Sequence, residues 1–173
     1  TLKSVCNQTS PDFKVIVACH ERPTLEFNNS KISYSEVDFL PPTLDKTKAT
    51  QKDFKSMKLD QGRKIWTALR DAYSLSPSHI MFVDADDCVS KHIAEFVNQQ
   101  ASKNGWFINK GYEYRDNGRS IFHRSKDFHQ KSSTSYIVKY DLIPHKSIKF
   151  EDITWEYLRH QSIINIMKEQ GTP

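Results

Sequence analysis

Glycine is scarce in this chain, with five residues in 173. None of the five belongs to a GxGxxG or GxxxxGK[ST] pattern, the loops whose backbone amides cradle phosphate groups. A phosphorylated ligand would therefore need lysine, arginine or a metal ion to balance its charge.

Cysteine and long apolar runs are scarce as well. The three cysteines are an odd number without the spacing of a metal site, so we expect a reducing, cytoplasmic location. No run approaches the ~20 consecutive apolar residues of a membrane-spanning helix. The first ten residues also lack the basic-then-apolar pattern of a signal peptide. We therefore expect no integral membrane segment.

The charge balance is mildly basic, with a formal net charge of +4. Lysines concentrate in residues 44–64, which we interpret either as a solvated loop or as a flap that helps to hold a phosphorylated ligand. No basic face with interleaved aromatic residues is visible, which argues against a nucleic-acid partner. The length of 173 residues and the 37% hydrophobic content indicate a single domain, residues 1–173, with a real core.

The order of predicted elements favours an α/β fold. Apolar runs predict strands at residues 13–21, within 31–42, and at 79–85. Helices are predicted to begin at Asp60 and Ser90, and a last helix to run through residues 151–171. The dipeptide Asn117-Gly118 predicts a hairpin between two further strands. We therefore expect a central, mostly parallel sheet flanked by helices, with an appended β-hairpin.

An acidic cluster follows the third strand in the sequence SHIMFVDADDCVS. Asp84, Asp86 and Asp87 repel one another unless a cation lies among them or water reaches all three. Asp84 and Asp86 alternate, so on an extended backbone they share a face and can bind Mg²⁺ or Mn²⁺ together. Asp87 is either a third ligand or a charge at the start of the next helix. The alternative for the whole motif is an exposed acidic turn.

Several segments together resemble the GT-A fold of nucleotide-sugar glycosyltransferases, and bacterial family-2-like members in particular. They are the acidic segment, DQGRKIWTAL before it, and GWFINKGYEY and SSTSYIVKYDLIP after it. The resemblance covers roughly residues 13–171, although only the D-x-D segment and its flanks are distinctive. It implies metal-dependent transfer of a sugar from a nucleotide-diphosphate donor to a hydroxyl-bearing acceptor. Mn²⁺ or Mg²⁺ would stabilise the leaving nucleoside diphosphate as a Lewis acid.

The resemblance also implies roles for individual residues. Asp60 would meet the base unless it is only a helix cap, and Lys64 would lie near the phosphates. Asp84, Asp86 and Asp87 would bind the metal. The implied nucleotide-sugar site comprises His20, Glu21, Arg22, Asp60, Lys64, Asp84 and Ser133.

The pair Glu151-Asp152 matches the acidic pair of family-2 enzymes, whose Asp is the general base on the acceptor hydroxyl. The resemblance thus implies that Asp152 is catalytic in an inverting transfer. Its distance along the chain from the D-x-D motif is shorter than the family pattern. The pair is alternatively two first-turn charges of the last helix. The chain ends soon after that helix, which leaves open a minimal fold or missing C-terminal elements.

Two other functions remain open. One is a GT-A-like domain that binds a nucleotide but has lost catalysis. The other is a haloacid-dehalogenase-type phosphatase, with Asp84 as nucleophile and Asp86 as acid and base. The phosphatase pattern has Thr or Val two residues after the second Asp, where this chain has Cys88.

Overall fold

A computed structural model of the chain describes residues 1–43, 50–114 and 118–169, and shows a mixed α/β arrangement with small sheets. The helices are α1 (Leu2–Cys6), α2 (Gln51–Ala72), α3 (Ile93–Gln99) and α4 (His160–Glu169). The strands are β1 (Val15–Cys19), β2 (Ile32–Glu36), β3 (His79–Met81), β4 (Gly105–Phe107), β5 (Gly111–Tyr114), β6 (Ile121–Arg124) and β7 (Tyr136–Lys139).

Within the described ranges the strands form three small sheets, whereas the sequence predicts one central, mostly parallel sheet. Strands β1 and β2 pair in parallel, with Val15 opposite Ile32. Strand β7 lies between β3 and β4 and is antiparallel to both. Because β7 separates them, β3 and β4 point the same way without pairing. The expectation of a mostly parallel sheet does not describe these pairings, in which β1–β2 is the one parallel pair among the described residues.

The predicted hairpin is present as β5 and β6, which pair antiparallel with Tyr114 opposite Ile121. Strand β4, which comes just before β5 in the chain, is not part of the hairpin, because it pairs with β7. Asn117, the first residue of the predicted turn, lies outside the described residues.

Helix α2 begins earlier than the sequence predicts. Thr50 is its N-cap, and its side chain accepts a hydrogen bond from the backbone amide of Asp53 at 3.2 Å. The Asp53 carboxylate accepts one in return from the Thr50 amide at 2.9 Å. This capping box starts the helix before Asp60, which is therefore an interior residue and not a cap. Much of the lysine-rich stretch is helical rather than a loop, while residues 44–49 lie outside the described residues.

Two later helix boundaries also differ from prediction. Helix α3 begins at Ile93, and Ser90 accepts a hydrogen bond from the His92 amide at 3.3 Å in the turn before it. Helix α4 begins at His160, whose side chain lies outside the description. Glu151 and Asp152 belong to a separate 3-10 turn, Phe150–Asp152, so they are not first-turn charges of α4.

The core forms around β7, α2 and α4. Tyr136 and Val138 of β7 and Ile163 of α4 are each 1% exposed. The Tyr140 hydroxyl donates a hydrogen bond to the carbonyl of Leu69 in α2 at 2.6 Å, which ties the end of β7 to that helix. Strands β1 and β3 are only half-buried, although their sequences predict buried strands, because a cleft opens beside them.

Helix α2 is the longest described helix, at 22 residues, and it carries charged side chains along its length. No helix within the described part of the chain is both long enough and apolar enough to cross a membrane.

Candidate functional site

Asp84 lies just beyond β3, where the ladder to β7 has ended. Met81 is the last paired residue of β3 and lies opposite Ile137. Continuing that register places Asp84 opposite Thr134. The backbone amide of Asp84 donates to the Thr134 hydroxyl at 2.9 Å, so a side chain takes the place of the next ladder hydrogen bond.

Both carboxylate oxygens of Asp84 are held by neutral donors. The Gln61 side-chain amide donates to Oδ1 at 2.8 Å, and the Ser133 hydroxyl donates to Oδ2 at 2.6 Å. The Gln61 carbonyl in turn accepts a hydrogen bond from Lys58 at 2.8 Å. Asp84 therefore joins three segments: α2, the end of β3 and the loop before β7. The prediction grouped Asp84 with Ser133, and the structure brings them together.

The other two carboxylates of the cluster differ in their surroundings. Asp87 is half-buried, and its Oδ2 lies 3.3 Å from the Ser132 hydroxyl that donates to it. Its backbone amide donates to the Asp84 carbonyl at 3.1 Å, which closes a turn. Asp86, at the tip of that turn, is exposed, and its side chain makes no hydrogen bond or ion pair with the described residues. Asp86 is thus the carboxylate of the cluster that is open to a ligand.

The N-terminal segment holds the acidic turn from the outside. The Thr1 hydroxyl donates to the carbonyl of Ala85 at 2.5 Å, and the Val89 amide donates to the Ser4 hydroxyl at 3.2 Å. Gln8 continues these contacts with a hydrogen bond to the Ser90 carbonyl at 3.0 Å. Residues on both sides of Asp86 are therefore fixed, while the Asp86 side chain has no partner among residues 1–43, 50–114 and 118–169.

A second carboxylate, Asp60, is bound within the protein on both sides. Its Oδ1 lies 2.6 Å from His20 Nε2, and its Oδ2 accepts from Lys64 at 2.8 Å. Asp60 and Lys64 are one turn apart on α2, and His20 follows directly after β1. These three predicted residues meet, but both oxygens of Asp60 already have partners and Lys64 is paired.

The remaining residues predicted at the end of β1 do not converge in the same way. Glu21 and Arg22 are exposed, and the Arg22 guanidinium lies 4.4 Å from the ring centre of Tyr34 in β2. Burial raises the pKa of the Cys19 thiol, and nearby Glu36 raises it further, against the opposing effect of Lys64. Cys19 is therefore a neutral thiol at physiological pH.

A cleft of about 1550 Å³ connects these features. Strands β1 and β3, each unpaired along one edge among the described residues, both border it. The hairpin contributes Tyr112 and Tyr114 at another side. The predicted site residues that line the cleft are Asp60, Lys64, Asp84, Asp86, Asp87 and Ser133.

Five lysine and arginine side chains border this cleft without a carboxylate partner in the described part of the chain: Lys14, Lys31, Lys58, Lys131 and Arg159. The sequence prediction missed them, as it missed Gln61. Gln61 and Lys58 are three residues apart on α2, so a helix that already included residue 58 would have placed them on one face. Lys131 directly precedes residues 132–134, whose side chains all carry a hydroxyl group. That position next to Ser133 is the sequence signal that could have identified Lys131.

Asp152 is exposed at the end of the turn Phe150–Asp152. This turn packs on α2, where the Phe150 ring lies 5.4 Å from the ring of Trp66 and the Trp66 indole donates to the Ile148 carbonyl at 3.0 Å. Asp152 is not among the residues that border the cleft, and within the described residues its carboxylate makes no hydrogen bond.

The carboxylates suit a cation bound mainly by its ligand rather than by a closed protein cage. No three His, Cys, Asp or Glu side chains of the described ranges converge on a metal position. Mg²⁺ commonly takes only one or two protein carboxylates and completes its shell with water and substrate phosphates. Asp86, with Asp84 beside it, meets that requirement.

Comparison with known proteins gave no match to any family model, curated protein or solved structure.

The Asp84 network predicts a pH-dependent effect of Gln61→Glu. The new carboxylate would face Asp84 in place of an amide donor, and the two like charges repel when both are ionised. We expect this variant to lose roughly 1 kcal/mol of unfolding free energy at pH 7. The loss should be smaller at pH 4, where protonation of the introduced glutamate relieves the repulsion. Urea unfolding at the two pH values measures it.

Gln130→Glu is the matched control, because Gln130 is exposed and makes no side-chain hydrogen bond in the described structure. Equal stability of the two variants at both pH values would show that Gln61 does not contact Asp84.

Proposed function

We propose that this chain is a metal-dependent glycosyltransferase, which moves a sugar from a nucleoside-diphosphate donor to a hydroxyl acceptor. The observation that carries the proposal is the acidic turn after β3. There Asp84 is fixed by Gln61 and Ser133, while Asp86 is exposed and unbonded among the described residues. A fixed carboxylate beside a free one at a cleft suits a cation that arrives with a diphosphate.

Asp86 and Asp84 would hold Mn²⁺ or Mg²⁺, with Asp87 close by. When bound, the metal supplies Lewis-acid stabilisation of the negative charge that develops on the leaving diphosphate. Asp87 accepts a hydrogen bond from Ser132 through Oδ2, and its carboxylate adds negative charge beside the metal position.

Lysine and arginine supply the remaining positive charge that a diphosphate needs in a chain without a glycine-rich cradle. Lys58 and Lys131 face the cleft and have no carboxylate partner in the described ranges. Charge-assisted hydrogen bonds from such groups to phosphate oxygens are about twice as strong as neutral ones. Lys64, by contrast, is paired with Asp60, and binding a phosphate would require it to share that partner.

The pair formed by His20 and Asp60 joins the end of β1 to α2 beside this cleft. We assign Asp60 to positioning His20 and Lys64 at the nucleotide end of the site, because both of its oxygens are occupied by them. Glu21 and Arg22 follow His20 as exposed residues and do not border the cleft. Ser133 then has two tasks, since it fixes Asp84 and borders the sugar side of the cleft.

Asp152 is the proposed general base for the acceptor hydroxyl. Its exposure and the lack of a hydrogen bond to the described residues leave its carboxylate able to accept a proton. A general base must lie within hydrogen-bond reach of the hydroxyl that attacks the anomeric carbon. Asp152 does not border the cleft, so this role requires the sugar end of the donor to extend beyond the cleft lining to Asp152.

That separation favours one alternative, a nucleotide-binding domain without transferase activity. The phosphatase alternative has less support from the sequence, because Cys88 stands where its pattern has Thr or Val.

Metal-dependent donor binding is the first test. Thermal unfolding is followed with uridine and guanosine diphosphates, with and without Mn²⁺. A ligand at about 100 times its dissociation constant stabilises the native state by about 2.7 kcal/mol, so we expect Mn²⁺ to raise the nucleotide-induced shift of the melting temperature. Asp86→Ala should abolish that gain, because it removes the open carboxylate.

Asp71→Ala is the control for the loss of one charge, since Asp71 is an exposed α2 residue that does not border the cleft. A wild-type nucleotide shift that is the same with and without Mn²⁺ would refute the metal assignment.

The role of Asp152 is tested by turnover. General-base catalysis typically contributes 10²–10⁴-fold in rate, so Asp152→Asn should reduce kcat by about that factor. Donor affinity should stay unchanged, because the base acts in the transition state. The measurement is release of nucleoside diphosphate from a nucleotide sugar in the presence of acceptor.

Glu151→Gln is the neighbouring control and should keep most activity. Full activity of Asp152→Asn would exclude it as the base. Metal-dependent nucleotide binding without any transfer across a panel of nucleotide sugars and acceptors would favour the inactive binding domain.

A further inference from the structure

A second cavity of about 590 Å³ lies between α2 and the segment directly after Asp152. Its first wall is one face of α2 and consists of Gln51, Lys52, Lys55, Ser56 and Leu59. Its second wall consists of Ile153, Thr154 and Trp155. Pockets for small molecules typically measure about 300–1,000 Å³, so the size suits a small ligand rather than a polymer surface.

Aromatic rings hold one cation of the cavity wall, Lys55, and a second cation near it, Arg159. The rings of Trp155 and Phe54 have centres 6.5 Å apart. Lys55 Nζ lies 5.3 Å from the ring centre of Trp155, and the Arg159 guanidinium lies 5.1 Å from it. Arg159 is also 5.8 Å from the Phe54 ring centre. Cation–π attraction fixes these positive groups beside the cavity without neutralising them.

The positive charge is not balanced by carboxylates in the described structure. No ion pair there involves Lys52, Lys55 or Arg159. Asp53, the acidic residue on the same turns of α2, is bonded to the Thr50 cap. The exposed Glu156 follows Trp155 in the chain but does not border the cavity. An anionic ligand would supply the missing partner.

Neutral polar groups complete the walls. The side chains of Gln51 and Ser56 make no hydrogen bond with the described residues. The Thr154 hydroxyl accepts from the Glu156 amide at 3.3 Å and can still donate. Leu59 and the buried Ile153 form an apolar floor. Hydroxyl and amide groups above an apolar floor suit a ligand with several hydroxyls on a carbon ring.

We propose that this cavity, which we call the Trp155 pocket, binds a small saccharide that carries a phosphate or a carboxylate group. Lys52 and Lys55 pair with the anionic group, and Gln51 and Ser56 bond the sugar hydroxyls. Arg159 does not border the pocket, but its charge beside the Trp155 ring adds to the positive potential there. The pocket begins one residue after Asp152, so its ligand is the acceptor of the transfer. That last step rests on the proposed function, whereas the binding itself does not.

The test is calorimetric titration of the full chain with glucose 6-phosphate, glucuronate, glucose and inorganic phosphate, without metal or nucleotide. We expect at least one of the two anionic sugars to bind, and both glucose and inorganic phosphate to bind at least about tenfold more weakly, since losing a charge-assisted contact typically costs that much. The double variant Lys52→Ala/Lys55→Ala should weaken anionic-sugar binding by about tenfold or more. Both lysines are exposed, so the fold should not change.

The matched control is Lys91→Ala/Lys126→Ala, which removes the same charge from exposed sites outside both cavities. It should bind as the wild type does, and so should Asp86→Ala. No binding of either anionic sugar, or binding unchanged by the Lys52 and Lys55 substitutions, would overturn the proposal. Equally tight binding of glucose or of inorganic phosphate would also overturn it. Loss of anionic-sugar binding in Asp86→Ala would show that the sugar binds at the acidic cleft and not in the Trp155 pocket.

These outcomes are independent of the transferase proposal. An Asp86→Ala variant that binds the anionic sugar but not the metal–nucleotide complex would confirm two separate sites. If the wild type binds the sugar but no nucleotide, the proposal for the Trp155 pocket stands and the proposed donor site is refuted.

Discussion

The hydrogen bonds to Asp84 are the constraint on which the candidate site depends. They connect Gln61 of α2, the end of β3 and the loop that leads into β7. Strand β7 is the most deeply buried strand of the core, so this loop starts from a rigid base. The acidic turn is thereby held by the core on one side and by the N-terminal segment on the other.

Carboxylates that border the same cleft differ in their surroundings. Asp60 and Asp84 have both oxygens occupied by protein donors, which fixes them and satisfies them. Asp86 is left exposed between residues that are held in place. Fixing the neighbours reduces the conformational entropy that a bound cation would have to remove, which is the usual advantage of a preorganised site. The proposed function depends on Asp86 because it is the exposed carboxylate of the acidic turn.

The sequence predicted the parts of this site that depend on local pattern. The apolar run before Asp84 predicted its place at a strand end. Ser133, which the resemblance assigns to the same site, donates a hydrogen bond to Asp84. Helix α2 begins earlier than the pattern of apolar residues predicts, because the capping box of Thr50 and Asp53 starts it and the lysines that follow lie on the helix. A helix that begins at Asp60 contains Gln61 but not Lys58, so it does not show that the two residues lie on one helix face. The antiparallel insertion of β7 depends on long-range packing, which no local pattern encodes.

The central claim is that a cation and a nucleoside diphosphate meet at the acidic turn, and paramagnetic broadening by Mn²⁺ tests it most directly. Amide resonances of the chain are recorded by NMR while trace Mn²⁺ is added with uridine or guanosine diphosphate. The account predicts selective broadening of Asp84, Asp86, Asp87 and Ser133, and its loss in Asp86→Ala. Broadening confined to other acidic residues, or spread evenly over the surface, would contradict it.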